Sequence, residues 1–202
     1  MTEYSFSLVP FPAPQLPDIS IKGRITRDRN VLTVHYSLSG KLEEIRFPEP
    51  ARQPARRDEL WLATCFEFFL AVPGQPEYLE FNLSPSGDWN AFCMDAYRRV
   101  GFRQEERIQD LQFRINLRAD CFTLDGIIDI SPLFHKATPI QAGITSVIQT
   151  SDGNETYWAL AHPNPRADFH LRKSFILVLE GEGHPSSPPS PTGSRPARIH
   201  KP

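Results

Sequence analysis

The chain has 202 residues, 40% of them hydrophobic and 23% charged, and a formal net charge of −2 at pH 7. This length is enough for one domain with a proper hydrophobic core, and the composition is that of an ordinary soluble protein. Nucleic-acid binding usually requires a basic surface, which a near-neutral chain does not supply. We therefore expect one globular domain that does not bind nucleic acid.

The N-terminal segment and the cysteines bear on location. The opening "MTEYSFSLVPFPAPQLPD" has an early acidic residue and several prolines where a signal peptide would have its apolar core. No run approaches the ~18 apolar residues that a membrane span needs. Cys65, Cys93 and Cys121 form no CxxC pair and leave an odd thiol, which fits a reducing compartment better than a disulfide framework. We expect a cytoplasmic protein that does not interact with membranes.

Hydrophobic and polar residues alternate along most of the chain. "VLTVHYSL" alternates strictly, and so does "LQFRINLR" further on, followed by the strand-like "CFTLDGIIDI". A single helical turn is predicted at "SPLFHK", where Pro132 suits the first position of a helix. "GITSVIQT" and "KSFILVL" then read as the last strands. Strand-length segments without a helical stripe predict an antiparallel sandwich or barrel of roughly ten strands.

Turn residues separate these segments. Asp152-Gly153 is the usual dipeptide of a tight hairpin, and "NLSPSGDW" predicts a longer turn between "YLEFN" and "WNAFCM". After residue 180 the chain is rich in Pro and Ser and has almost nothing to bury. The sequence therefore predicts a sandwich domain over residues 1–180 and a disordered tail over residues 181–202.

Two neighbouring segments, "CFEFF" and "YLEFN", each place a glutamate among aromatic residues. If the first strand starts at the preceding "LWL", alternation puts Trp61 and Glu67 on the face opposite the apolar set. In the next strand Tyr78, Glu80 and Asn82 alternate with apolar residues in the same way. We expect these side chains to share one solvent-facing side of a sheet.

The chemistry of this face suits sugars. The strand "LQFRINLR" offers Arg114 to a face of the same character. An indole stacks on the C–H face of a sugar ring, carboxylates and amides accept from its hydroxyls, and a guanidinium donates to them. The alternative is structural: Trp61 and Tyr78 close the edge of the core, and Glu67 pairs with Arg114.

Three segments resemble a known group of proteins: "LWLATCFEFFLAV", "YLEFNLSPSGDWNAFCMDAYRRVG" and "YWALAHPNPRADFH". They are similar to the DOMON-like group related to family-nine carbohydrate-binding modules, and the similarity runs from residue 5 to residue 180. The resemblance implies a jelly-roll or immunoglobulin-like β-sandwich whose members bind sugars or haem on one sheet. Stand-alone bacterial members of this type have no assigned activity.

The resemblance also implies site residues. The residues that match the two central strands of the sugar binders are Trp61, Glu67, Tyr78, Glu80, Phe81 and Asn82. Thr64 stands where those proteins commonly have an aspartate. Sugar binders of this kind clamp a terminal sugar between two tryptophans, and Trp158 is the expected second one.

Three other functions remain open. Haem-binding relatives use Met or His ligands, which Met94 with His162 or His170 could supply. Glu67 and Glu80 could act as a glycosidase pair, because two carboxyl groups that flank a glycosidic bond define that chemistry. A flat sheet face, however, would leave both carboxylates in water, and no sequence feature raises the pKa of either. The third alternative is a protein-interaction module that uses the same face and binds no sugar.

The loop "HPNPRADFH" carries His162 and His170. An acyl-transfer site would need these imidazoles beside a cysteine, and a metal site would need a third ligand that the spacing does not supply. We expect a loop that is pinned by hydrogen bonds from Asp168 and the two imidazoles.

Taken together, the residues predict a non-catalytic domain that binds a small neutral carbohydrate and needs no cofactor or metal. The sequence does not specify a protein partner. The predicted ligand-binding residues are Trp61, Glu67, Tyr78, Glu80, Asn82, Arg114 and Trp158.

Overall fold

The computed structural model describes residues 1–98 and 102–183. Within these ranges the chain forms thirteen β-strands and three short 3-10 turns, with no α-helix. The strands are β1 (Thr2–Ser7), β2 (Val9–Pro10), β3 (Ile19–Asp28), β4 (Val31–Gly40), β5 (Cys65–Ala71), β6 (Tyr78–Leu83), β7 (Trp89–Met94), β8 (Arg103–Gln104), β9 (Gln112–Leu117), β10 (Cys121–Asp129), β11 (Ile140–Gln149), β12 (Glu155–Ala159) and β13 (Leu177–Leu179). The 3-10 turns are Leu42–Glu44, Leu60–Leu62 and Arg172–Ser174.

The strands pair into two antiparallel sheets that form a sandwich. The five-stranded sheet has the order β1-β3-β4-β10-β9. The eight-stranded sheet has the order β2-β12-β11-β5-β6-β7-β8, and β13 pairs with the start of β11. The antiparallel sandwich predicted from the alternation is confirmed. Strands β5 and β6, in the middle of the eight-stranded sheet, carry the two glutamates that the sequence predicts to bind the ligand.

The main core lies between the sheets. Tyr36 of the five-stranded sheet packs against Phe66 of β5 with ring centroids 5.1 Å apart, and Phe66 stacks on Phe122 at 5.0 Å. The Tyr36 hydroxyl donates a 2.6 Å hydrogen bond to the backbone carbonyl of Glu67, so the buried phenol has a partner. Because Phe66 points inward, alternation turns the Glu67 side chain to the outer face of the sheet.

That outer face is covered as well. Every residue of β5, β6 and β7 is buried. A second apolar cluster packs there around Phe69, Tyr78 and Phe175. Phe175 lies so close to Gly143 that a Cβ added to the glycine would be 2.8 Å from the ring. Glycine at this position therefore allows residues 160–176 to cross the outer face.

The predicted turns are present, while the start of one predicted strand is not where the sequence places it. The Thr150 amide donates to the Asn154 carbonyl across the Asp152-Gly153 turn, as expected of a hairpin. "SPLFHK" forms one turn, in which the amides of Leu133 and Phe134 both donate to the Ile130 carbonyl, as expected of a single helical turn. The strand predicted from "LWL" onward starts only at Cys65, because Glu59 adopts a left-handed φ of 60° and a 3-10 turn follows.

Ion pairs hold the C-terminal end of the described residues. Glu182 forms ion pairs with Arg29 at 3.1 Å and with Lys136 at 2.9 Å, and its amide donates to the Lys136 carbonyl. Most of the predicted disordered tail, residues 184–202, lies outside the described residues. In residues 1–98 and 102–183 no helix is long and apolar enough to cross a membrane.

Candidate ligand-binding site

Glu67 and Glu80 lie in the middle of the outer face of the eight-stranded sheet. In the register of β5 and β6, Glu67 pairs with Asn82 and Phe69 pairs with Glu80, so the two glutamates are diagonal neighbours. Their exposed fractions are only 2% and 6%. The expectation that both carboxyl groups lie in water is wrong, because residues 160–176 and the segment before β5 cover this face.

The two carboxyl groups are incompletely hydrogen-bonded. Glu67 Oε2 accepts a 3.2 Å bond from the Thr145 hydroxyl, whereas Glu67 Oε1 is buried and has no partner among the described residues. Glu80 Oε1 accepts a 2.9 Å bond from the side-chain amide of Asn82. A buried polar atom without a partner costs about 1–3 kcal/mol. A donor supplied from outside the chain would therefore be stabilising at Glu67.

Burial dominates the electrostatics of this pair. It raises the pKa of Glu67 well above the ordinary value of 4.5, the charge of Glu80 raises it further, and the Thr145 hydrogen bond lowers it. Burial also raises the pKa of Glu80 to about 7, against the Asn82 hydrogen bond that lowers it. The two groups titrate as a pair and hold a proton near neutral pH. One carboxyl can then donate a hydrogen bond as well as accept one.

Three aromatic rings form one wall. Trp61 comes from the 3-10 turn, Phe92 from β7 and Phe102 from the residues before β8. Their ring centroids are 5.8 Å apart for Trp61 and Phe92, 6.1 Å for Trp61 and Phe102, and 4.9 Å for Phe92 and Phe102, all edge to face. Each ring supports the other two, so we refer to these three residues as the aromatic wall.

A second wall is organised by Asp168. Its carboxylate accepts hydrogen bonds from the Tyr97 hydroxyl at 2.5 Å, the Arg98 guanidinium at 3.0 Å and the His170 amide at 3.1 Å. Burial alone would raise the pKa of Asp168, but the hydrogen bonds from Tyr97 and Arg98 and the charge of Arg98 hold it below its ordinary value. The predicted role of Asp168 in pinning this loop is confirmed.

His170 belongs to the same wall. Its Nδ1 lies 3.0 Å from the Tyr78 hydroxyl, which is buried in the second apolar cluster. Burial and, to a smaller extent, the charge of Arg98 lower the pKa of His170 to about 4, against the charge of Asp168, which raises it. The imidazole is therefore neutral at pH 7, and it adds hydrogen-bonding capacity without charge.

Tyr157 and Phe169 close the side beyond β11. Their rings meet edge to face with centroids 5.9 Å apart, and the Tyr157 hydroxyl donates a 2.8 Å bond to Glu155. Strand β12, which carries Tyr157, lies on one side of β5 and β6, and β7, which carries Phe92, lies on the other. The glutamate pair is therefore flanked by aromatic residues on both sides.

These walls enclose a cavity of about 570 Å³, a size typical of small-molecule sites. Its floor contains Glu67 and Glu80, and its remaining lining residues are Leu62, Met94, Val147, Glu155 and Ala167. An apolar, largely aromatic surround with a few convergent polar groups is the usual composition of a ligand-binding site.

The structure brings together only part of the predicted set. Trp61, Glu67 and Glu80 line the cavity. Tyr78 and Asn82 lie on the same sheet face and act on the site through hydrogen bonds to lining residues. The prediction that these five share one face therefore agrees with the structure, except that Trp61 reaches it from a 3-10 turn.

Trp158 is not part of the cavity, and the predicted tryptophan clamp is wrong. Trp158 is 4% exposed within the main core, and its indole N–H donates a 3.0 Å bond to the Thr156 hydroxyl. Alternation along β12 turns the neighbouring Tyr157 outward instead. Tyr157 therefore takes the lining position that was expected of Trp158.

Arg114 belongs to the other sheet. It lies on β9, the edge strand of the five-stranded sheet, where it pairs in register with Asp125 and is exposed. Neither a shared sugar site nor a structural ion pair between Arg114 and Glu67 is possible across the sandwich. The guanidinium that lines the cavity is that of Arg98.

Several lining residues were not predicted from the sequence, among them Arg98, Phe102 and Phe169. They lie in connecting segments, where the period of a strand gives no information about direction. The loop "HPNPRADFH" did contain a signal, because Asp168 and His170 were expected to hold it in place. The sequence did not indicate what that loop would be held against.

The haem and metal alternatives gain little from this geometry. Met94 and His170 do line the cavity, but His162 lies elsewhere and its Nε2 contacts the Val9 carbonyl at 2.9 Å. The described lining has several carboxyl groups and one guanidinium, which does not suit the two propionates of a haem. In the described part of the chain, no group of three His, Cys, Asp or Glu side chains is arranged to hold a metal ion.

Comparison of the sequence with family models and with curated proteins gives no match. Solved structures, however, share its fold. A proposed carbohydrate-binding protein from Bacteroides uniformis ATCC 8492 aligns with a TM-score of 0.63 at 14% identity, over 88% of this chain and 85% of that chain.

A carbohydrate binding module of family 9 from Caldicellulosiruptor kristjanssonii is similar too. Its complex with glucose aligns with a TM-score of 0.52 at 11% identity, over 88% of this chain and 84% of that chain. Its complex with cellotriose aligns with a TM-score of 0.53 at 12% identity, over 93% of this chain and 88% of that chain. The chain therefore has a fold like that of the family 9 modules.

Proposed function

We propose that this chain is a non-catalytic domain that binds a small carbohydrate in the cavity on the outer face of the eight-stranded sheet. The observation that carries the proposal is the buried pair Glu67 and Glu80 set between the aromatic wall and Tyr157. A fold in common with carbohydrate-binding proteins supports the same class of ligand.

Each part of the cavity has a use in such binding. The aromatic wall offers apolar surface to the C–H face of a sugar ring. Glu67 and Glu80 accept from hydroxyls and, while they share a proton, also donate to them. Arg98 adds charged donors, and neutral His170 adds a further polar atom. Sugar hydroxyls both donate and accept, so they match a site that offers both roles.

The expected affinity is modest. Net hydrogen bonds contribute about 0.5–1.5 kcal/mol each, and association itself is costly. One or two rings bound in this way suggest dissociation constants of about micromolar to millimolar.

The test is calorimetry with a panel of mono- and oligosaccharides against the wild-type chain and Trp61→Ala. Loss of the indole should weaken binding by about tenfold or more, equivalent to about 1.4 kcal/mol. The melting temperature should change little, because Trp61 is partly exposed and lies outside the main core.

Arg114→Ala is the matched control, because it removes a large side chain on the opposite side of the sandwich. It should bind the panel like the wild type. If no sugar binds at millimolar concentration, or if Trp61→Ala unfolds, the face has a structural or protein-binding role instead.

Glycoside hydrolysis is a second candidate, favoured by one observation. Glu67 and Glu80 are both buried on adjacent strands in unequal surroundings, and a carboxyl pair of this kind can divide acid and base roles. Release of reducing ends from bound oligosaccharides, abolished in Glu80→Gln, would favour this candidate over binding alone. Recovery of intact oligosaccharide after prolonged incubation would exclude it.

Two narrower inferences accompany the proposal. We infer a relation to the DOMON-like group from the three segments that resemble it. We also infer a cytoplasmic location, since Cys65, Cys93 and Cys121 are all free thiols, as expected in a reducing compartment. Fractionation of cells that express the natural protein tests the location directly.

A further inference from the structure

The charges that line the cavity are unbalanced. Among the described residues, four carboxyl groups line it, from Glu67, Glu80, Glu155 and Asp168, against the single guanidinium of Arg98. That guanidinium is already committed, because it bonds to Asp168 at 3.0 Å. Among the described residues, the other three carboxyl groups have no cationic partner.

The imbalance is sharpest at the floor. Glu67 is buried, its one hydrogen bond is the 3.2 Å contact from Thr145, and its Oε1 has no partner among the described residues. Glu80 has one bond, from Asn82 to Oε1. Both glutamates line the cavity, and the terminal torsion of a glutamate is soft, so rotation of the Glu67 carboxyl allows its oxygens to adjust to a ligand.

Aromatic side chains surround this floor. The aromatic wall (Trp61, Phe92 and Phe102) lies on one side, and Tyr157 with Phe169 lies on the other. Aromatic rings attract cations through their quadrupole, and rings grouped around a site often recognise ammonium groups. Carboxyl groups and aromatic rings in one cavity therefore favour the same ligand charge.

We propose that the sugar bound in this cavity carries a protonated amino group, and that the ammonium is held between Glu67 and Glu80. The inference rests on the proposed function and narrows it to amino sugars. An ammonium has three N–H donors, so it satisfies Glu67 Oε1 and the free oxygen of Glu80 together. It also removes the repulsion between the two carboxylates, which a neutral hydroxyl does not.

The electrostatics agree with this assignment. Burial and the charge of Glu80 raise the pKa of Glu67, so the empty pair is held partly protonated. A cation within a few ångströms favours the ionised form of both groups. Binding of an ammonium therefore drives a proton out of the pair, and the calorimetric enthalpy then varies with the ionisation enthalpy of the buffer.

The test compares three sugars with the same ring: glucose, glucosamine and N-acetylglucosamine, at pH 7 and low salt. The wild-type chain should bind glucosamine about tenfold or more tightly than either neutral sugar, since tenfold corresponds to only about 1.4 kcal/mol. Raising the salt concentration should weaken glucosamine binding more than glucose binding.

Glu67→Gln and Glu80→Gln each keep the shape of the floor and remove one of its two carboxyl groups. Each should lower the ratio of glucosamine affinity to glucose affinity by about threefold or more, because an amide oxygen still accepts from a hydroxyl but no longer balances the charge of an ammonium. Asp125→Asn is the matched control, because Asp125 is half exposed on the other sheet. It should leave the preference intact. The wild-type comparison alone decides the matter if either variant fails to fold.

The outcomes separate the two proposals. Equal affinity for glucose and glucosamine would overturn the amino-sugar inference and leave carbohydrate binding standing. Absence of binding to all three sugars and to longer oligosaccharides would overturn the proposed function itself. If tetramethylammonium binds and none of the sugars does, both proposals are overturned, since the site would then recognise a cation and not a sugar ring.

Discussion

The two outer faces of the sandwich come from the same kind of sequence and have opposite surroundings. On the five-stranded sheet, the residues of β9 and β10 alternate between the core and the outer face. Their outer side chains, such as Arg114 and Asp125, are exposed. On the eight-stranded sheet, β5 to β7 also alternate, yet Glu67 and Glu80 are buried. Alternation therefore specifies which residues share a face, but it does not specify whether water reaches that face.

The difference comes from the connections. Residues 160–176 cross the eight-stranded sheet and are fixed there by Phe175 over Gly143 and by the hydrogen bonds of Asp168. The 3-10 turn before β5 brings Trp61 over the same face. Within residues 1–98 and 102–183, no comparable segment covers β9. The segments over the eight-stranded sheet contact it at their edges and leave a cavity between them and the sheet. The uncovered face of the five-stranded sheet has no such enclosing segment among the described residues.

The largest expected effect distinguishes the two tryptophans. Trp158 lies in the core and Trp61 lines the cavity. Trp158→Ala should lower the free energy of unfolding by about 3–5 kcal/mol, whereas Trp61→Ala should lower it by about 1 kcal/mol or less. Urea denaturation followed by circular dichroism measures both. Equal losses would show that Trp61 is a core residue and that the covered face is part of the core.

The next effect concerns the acidity of the covered face. The pKa of Glu80 is about 7 in the folded chain and near 4.5 in the unfolded chain, so folding favours its protonated form. Its contribution to stability is therefore fully present below pH 4.5 and is lost as the pH rises toward 7 and beyond. The loss is at most about 3 kcal/mol, and Glu67 changes in the same direction.

Glu80→Gln removes this dependence and should be more stable than the wild type at pH 8, by about 1–3 kcal/mol. At pH 4.5 the two chains should have similar stability. Denaturation curves at the two pH values give the comparison, with Glu155→Gln, from the exposed part of the cavity lining, as the control. A wild-type chain and a Glu80→Gln chain with parallel pH profiles would contradict burial of the pair.

A smaller effect is expected at the loop that covers the face. Asp168→Asn loses the ion pair with Arg98 and weakens the bond from Tyr97, which should lower stability by about 1–2 kcal/mol. The loss should be local, so proteolytic cleavage within residues 160–176 should accelerate and sugar binding should weaken. Asp125→Asn is the control on the uncovered face. Unchanged cleavage would mean that Phe175 and its neighbours hold the loop without Asp168.

These contrasts also indicate how far sequence reasoning reached. The sandwich, the Asp152-Gly153 hairpin and the shared face of Glu67 and Glu80 all follow from a strand period of two, which is a local property. The resemblance of "YWALAHPNPRADFH" to the sugar binders assigned Trp158 to the site. In the structure, alternation along β12 turns Trp158 into the core instead. A shift of one residue exchanges core for surface in a strand.

The rest of the site depended on contacts between distant segments. Arg98 and Asp168 meet across seventy residues of sequence, and no local pattern records such a meeting. Burial of the glutamates has the same origin, because it is the covering loop that excludes water from them. The raised pKa values of Glu67 and Glu80 were therefore beyond prediction, although the composition of the face was not.

The smallest expected effect is at Arg114, where the sequence predicted a site residue and the structure has an exposed side chain on the uncovered face. Arg114→Ala should change the free energy of unfolding by no more than about 0.5 kcal/mol, because surface substitutions of this kind remove little packing. Sugar binding should be unchanged, since the two sheets and the core separate Arg114 from the cavity.

Arg98→Ala provides the contrast, because it removes the guanidinium that does line the cavity and leaves Asp168 without its cation. Calorimetry on the two variants measures the difference. If Arg114→Ala weakens binding as much as Arg98→Ala does, the sugar binds on the five-stranded sheet, and the covered face is not the site.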